Sequence, residues 1–152
     1  MKFDNISKVL SEKYNIESDA ENQVIRLTSE SMFDVCRYLF DNSDLLFDYL
    51  MCITSIDNQE NGLELAYNLY SYKNRHYLEF RVAINRDEAV PSVESIWKTA
   101  DWHEREAFDL MRSDAEEMFV EKRDEATDYI EGKVEKAYSK YKTKREKYKQ
   151  GQ

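Results

Sequence analysis

The fold turns on two segments, Glu64-Leu65-Ala66-Tyr67-Asn68-Leu69 and Leu78-Glu79-Phe80-Arg81-Val82-Ala83-Ile84. In each, large apolar residues alternate with polar residues and one alanine. Leu65, Tyr67 and Leu69 point one way and Glu64, Ala66 and Asn68 the other. Leu78, Phe80, Val82 and Ile84 likewise oppose Glu79, Arg81 and Ala83. Successive strand side chains leave on opposite faces, so this period marks two half-buried strands. The break at residues 72–75 is short enough to make them an antiparallel hairpin. Glu79 and Arg81 then face solvent or a partner.

The flanks read outward from that hairpin. Ile6, Val9 and Leu10 recur at helical spacing, which predicts a short amphipathic helix over residues 4–14. Val24 to Leu27 reads as a short strand. Ser29-Glu30-Ser31 offers cap side chains to a helix carrying Met32, Cys36, Leu39 and Phe40, out to about Asn42. Residues 46–56 are almost continuously apolar, and their second half reads as a strand buried on both faces. Asn58 to Gly62 is a break. Pro91 ends the sheet region, and Ser92 caps a helical stripe of Val93, Ile96, Trp97 and Ala100. A second helical segment follows from about Trp102 to Met111. Trp97 and Trp102 read as core or interface anchors. From Arg112 no strand pattern is visible; apolar residues at helical spacing among charges predict a long charged C-terminal helix. The fold class is α+β: a small, mainly antiparallel sheet with flanking helices, residues 1–111, followed by a charged helical extension, residues 112–152.

Composition excludes several classes. The chain has 152 residues, 41% of them apolar, enough for one core. Residues 1–111 hold 21 acidic and 11 basic side chains, and the whole chain carries −9. Nucleic-acid binding and direct docking on anionic lipid both need clustered cations, so neither is expected. The last twenty residues reverse the balance, with eight basic and two acidic. Cys36 and Cys52 sit in apolar surroundings and read as buried thiols in a reducing compartment. No signal peptide opens the chain, and the longest uncharged apolar-rich run, Tyr49 to Ile56, is too short to span a bilayer. The expected location is cytoplasmic, with any membrane association indirect.

The densest chemistry lies in Ala100-Asp101-Trp102-His103-Glu104-Arg105-Glu106-Ala107-Phe108-Asp109-Leu110, where six of eleven residues are ionisable. On a helix Arg105 and Asp109 lie one turn apart and can pair. Glu104 and Glu106 diverge by about 200°, which disfavours a paired-carboxylate hydrolase. By residue type alone this is a charged helix face.

The string Glu104-Arg105-Glu106-Ala107-Phe108-Asp109-Leu110 resembles the E-R-E-x-[FY]-D-[LM] signature of the respiratory-chain NADH dehydrogenase 30 kDa subunit family. That family comprises the C subunits of complex I and their energy-converting hydrogenase counterparts. Phe47 to Asp57 is similar to the family's F-D-x-L-x-x-I-T-x-x-D segment, Tyr67-Asn68-Leu69-Tyr70-Ser71 to its Y-H-L-x-S strand, and Val90 to Trp97 to its V-P-S-x-x-x-x-W segment. These matches stand in order over residues 46–111. The family's following F-G-I and G-H-P stretch, which wraps a neighbouring large subunit, has no counterpart after Met111.

The resemblance implies a cofactor-free scaffold subunit of a membrane-bound redox complex, either a complex I-like NADH/quinone oxidoreductase or an energy-converting hydrogenase. It implies no catalytic, cofactor or metal residues. The implied partners are the hydrogenase-large-like, quinone-site subunit and the iron–sulfur subunits of the same complex. Glu104, Arg105, Glu106 and Asp109 would lie at or near the contact with the large subunit. Two other readings stay open. One is a small metal-dependent enzyme using His103, Glu104 or Glu106 with His76. The other is an adaptor working through the basic, tyrosine-bearing residues 133–149.

Overall fold

The computed structural model describes residues 1–111 and 119–120. In chain order the elements are α1 (Phe3–Lys13), β1 (Glu17–Asp19), β2 (Val24–Leu27), α2 (Ser29–Asp41), β3 (Tyr49–Asp57), a 3₁₀ turn (Gln59–Asn61), β4 (Leu63–Ser71), β5 (His76–Ile84), β6 (Val90–Pro91), α3 (Ala100–Met111) and β7 (Phe119–Val120). The first five strands form one sheet in the order β1-β2-β5-β4-β3. All its pairings are antiparallel except β2 with β5. The architecture is thus α+β with a mainly antiparallel sheet, as the sequence pattern predicts. The hairpin is the pairing of β4 with β5, Leu65 opposite Val82 and Tyr67 opposite Phe80.

Alternation gives the sheet two unlike faces. Leu63, Leu65, Tyr67 and Leu69 join Leu78, Phe80, Val82 and Ile84 in one core, which Ile6 and Leu10 of α1 and Met32, Val35, Cys36 and Leu39 of α2 complete. Tyr67 and Phe80 stack there with centroids 4.6 Å apart. Thr28, one residue before the expected cap, closes the start of α2 by accepting a hydrogen bond from the Ser31 N–H at 3.3 Å. The other face is polar and aromatic. Register sets Tyr49, Tyr70 and Tyr77 in one row across three strands, and Cys52, Asn68 and Glu79 in the next. Side chains there are tied together: Arg81 Nε donates to Glu79 at 2.6 Å, and Glu64 bridges Arg26 and Arg81.

Several expectations are corrected. β3 is not buried on both faces. It is an edge strand with Tyr49, Met51 and Thr54 exposed, and a register shift falls between Leu50 and Cys52. Cys52 is only half-buried and its thiol donates to Asn68 Oδ1 at 3.2 Å, whereas Cys36 is buried as expected. Residues 93–99 form turns rather than a helix: the Ile96 and Trp97 N–H groups both donate to the Val93 carbonyl, and the Ala100 N–H donates to the Trp97 carbonyl. Residues 119–120 form a two-residue strand where none is expected, parallel to β6. The long C-terminal helix lies outside the described residues.

Gly62 makes the tight entry to β4. Its φ of +87° and ψ of −153° lie where L side chains are strained, and a Cβ would meet the Ile84 carbonyl oxygen at 2.8 Å. Gly62→Ala is expected to cost about 2–3 kcal/mol by urea unfolding. A change under about 0.5 kcal/mol would mean the hairpin entry relaxes freely.

Candidate partner interface

α3 packs on β3, and its inward face explains how. Ala100, Glu104 and Ala107 share that face at i, i+4 and i+7, and all three are buried. Small residues let the helix approach closely, and Ser55 Oγ donates to the Ala107 carbonyl at 3.4 Å. Glu104 between them is 7% exposed. Its carboxylate accepts from Val93 N–H at 2.8 Å and Ser92 Oγ at 2.7 Å, so it fastens the turn after β6 to the helix. Burial pushes its carboxyl up from the ordinary 4.5 to about 7; the two hydrogen bonds oppose that rise, while nearby Glu94 and Asp101 add to it. Burial also raises the Cys36 thiol and the Tyr67 phenol, with the Glu104 charge as a second cause for both.

The outward face carries the rest of the charged string. Arg105 Nε lies 3.0 Å from Asp101 one turn earlier; Asp109, one turn later, is not its partner. Glu106 and Asp109 are exposed and have no ion-pair partner among the described residues. The expected group of four thus divides: Glu104 faces in, and Arg105, Glu106 and Asp109 face out. Trp102 and Leu110 stand on the outward face as well, 74% and 75% exposed. Trp102 is therefore no core residue, and Leu110 joins it as an exposed apolar group that the sequence pattern does not single out. The signal for both is the phase of the helix, which Ala100 and Ala107 fix.

The metal-dependent alternative needs His76 to join His103, Glu104 or Glu106. Instead, His76 Nε2 lies 2.5 Å from the Leu45 carbonyl oxygen and Nδ1 3.1 Å from the Met1 amino group. Burial is the main reason its pKa is lowered. Among the described residues no three His, Cys, Asp or Glu side chains gather as metal ligands.

The sheet from Ile25 onward, α2 and α3 all fall within residues 25–116, which match the family described as respiratory-chain NADH dehydrogenase, 30 Kd subunit. The chain belongs to that family. Similar curated proteins include the NADH-quinone oxidoreductase C subunit 2 of Rhizobium meliloti (strain 1021), 36% identical over 83 residues, 53% of this chain and 46% of that protein. The NADH-quinone oxidoreductase C subunit of Roseiflexus castenholzii is 34% identical over 89 residues, covering 57% of this chain and 51% of its own length. The protein of the same name from Caulobacter sp. (strain K31) is 39% identical over 75 residues, 48% and 35% of the two chains. The chain thus spans about half or less of these relatives' lengths. The matched family stretch contains both the covered face of the sheet and the outward face of α3.

Proposed function

We propose that this chain is a cofactor-free scaffold subunit of a complex I-type NADH/quinone oxidoreductase, held on the cytoplasmic side of a membrane by its partners. The family match over residues 25–116 carries this reading. The names of the relatives favour the quinone-reducing complex over the energy-converting hydrogenase. No helix among the described residues is long and apolar enough to cross a membrane, in keeping with association through other subunits. The contact on the hydrogenase-large-like subunit is made by Arg105, Glu106 and Asp109. Glu104 supports them from beneath by fixing the helix to Val93. Charge-assisted hydrogen bonds across such a contact hold neighbouring redox centres at a constant distance.

Affinity purification of the tagged chain from its own membranes in mild detergent tests the reading. The expected result is recovery of a hydrogenase-like large subunit with iron–sulfur subunits and no nickel. Nickel in that preparation would assign the chain to an energy-converting hydrogenase; recovery of the chain alone would overturn the scaffold reading. Arg105→Ala is expected to lower that recovery while leaving the isolated chain's stability within about 0.5 kcal/mol, because the Arg105–Asp101 pair is exposed. Equal loss of folding and assembly would make Arg105 a structural residue.

A further inference from the structure

At about 100° per residue, the outward positions of α3 occupy one arc. Trp102 lies at its centre, with Asp109 and Glu106 to either side and Arg105 and Leu110 at the two margins. All five are exposed, and the span from Trp102 to Leu110 is about 12 Å along the axis. Arg105 is neutralised locally by Asp101. The arc therefore presents an indole between two carboxylates that have no ion-pair partner among the described residues. Trp102 and Leu110, three-quarters in water on one helix face, gain free energy from any apolar surface that covers them.

We infer that Trp102 is the anchor of the inter-subunit contact, inserting into an apolar pocket of the partner whose rim carries Lys or Arg side chains that meet Glu106 and Asp109. This rests on the scaffold reading and adds the residue that dominates binding and the charge of the surface it enters. The occupant follows from complementarity. The folded body of a second copy is a poor match, because residues 1–111 carry ten more acidic than basic side chains and this arc is itself acidic. An indole buried at the centre of a contact supplies large apolar area at little entropic cost, and charged groups around it set orientation and exclude wrong partners.

The test uses three tagged full-length chains expressed in the native membranes: wild type, Trp102→Ala, and Glu106→Lys with Asp109→Lys. Wild type is expected to bring down the large subunit. Trp102→Ala is expected to recover it about tenfold less or worse, and the double charge reversal likewise. The purified chains should retain the wild-type circular dichroism and thermal midpoint, since none of the three positions is buried. If wild type assembles and Trp102→Ala assembles equally well, the anchor assignment is wrong while the scaffold reading stands. If the charge reversal assembles normally, the basic rim is wrong. If wild type is recovered alone, the scaffold reading falls and takes this inference with it.

Discussion

Glu104→Gln is expected to make the chain more stable at pH 8 and leave it nearly unchanged at about pH 4. The folded carboxyl has its pKa raised from 4.5 to about 7 by burial, and a group so raised stabilises the fold only while protonated. Its contribution is complete below about pH 4.5 and is lost as pH rises through about 7. A rise of that size corresponds to about 3 kcal/mol at most. Glutamine does not titrate, yet it accepts from the Val93 N–H through its carbonyl and donates to Ser92 Oγ through its amide, keeping both contacts. The stability difference between Glu104→Gln and wild type should therefore grow from near zero at about pH 4 to about 3 kcal/mol at pH 8, by urea unfolding. His76 adds its own loss on acidification, because its pKa is lowered and the unfolded chain protonates first. That term is common to both proteins and cancels in the difference. Parallel pH profiles would mean that Ser92 and Val93 hold the carboxylate ionised against the cost of burial. Glu104→Ala is the harsher change. It leaves the Val93 N–H buried without its acceptor and opens space between Ala100 and Ala107, for a loss of about 2–3 kcal/mol at pH 5.

The contrast between Glu104 and its neighbours marks where a sequence stops being legible. The hairpin can be read because period two separates a side of large apolar residues from the other in each strand; β5 is half-buried as that pattern predicts, whereas β4 is not, since Glu64 and Ala66 on its polar side are buried as well. β3 cannot be read this way. Its residues from Tyr49 to Ile56 carry no charge, and an apolar run looks the same at an edge as at the centre of a sheet. The parallel pairing of β2 with β5 joins residues more than fifty apart, which no local period encodes. The cluster Glu104, Arg105 and Glu106 names three ionisable groups without saying which turns inward. Ala100 and Ala107 answer that question once they are read as the close-packing face of α3. The exposure of Trp102 follows from the same phase. Residues 93–99 mislead for a different reason. Val93, Ile96, Trp97 and Ala100 have helical spacing and are all buried. Yet the segment falls in short turns, with the Glu104 carboxylate on the Val93 N–H and the Trp97 indole N–H on the Phe47 carbonyl. Those contacts join residues distant in sequence, and helical spacing does not encode them.

Trp97→Ala is expected to remove about 4–5 kcal/mol, a large share of the whole stability of a domain this size. Trp97 is 3% exposed, its indole N–H donates to the Phe47 carbonyl at 2.8 Å, and its ring meets Phe40 of α2 edge-on at 6.1 Å. One side chain thus joins α2, the approach to β3 and the turn that leads into α3. Alanine leaves a cavity among all three and strips the buried Phe47 carbonyl of its donor. Trp97→Phe separates the two losses. It keeps most of the ring and gives up the hydrogen bond, for an expected cost of about 1–2 kcal/mol. Urea unfolding of both variants against wild type measures the pair. If Trp97→Phe costs as much as alanine, the hydrogen bond rather than packing holds the turn. Because the turn after β6 also carries Val93, the donor end of the Glu104 contact, loosening Trp97 should disturb the seating of α3. Trp97→Ala should therefore lose folding and assembly together, whereas Trp102→Ala, on the opposite side of the same short segment, should lose assembly alone. That difference is what separates a tryptophan that builds the helix platform from one that the platform presents.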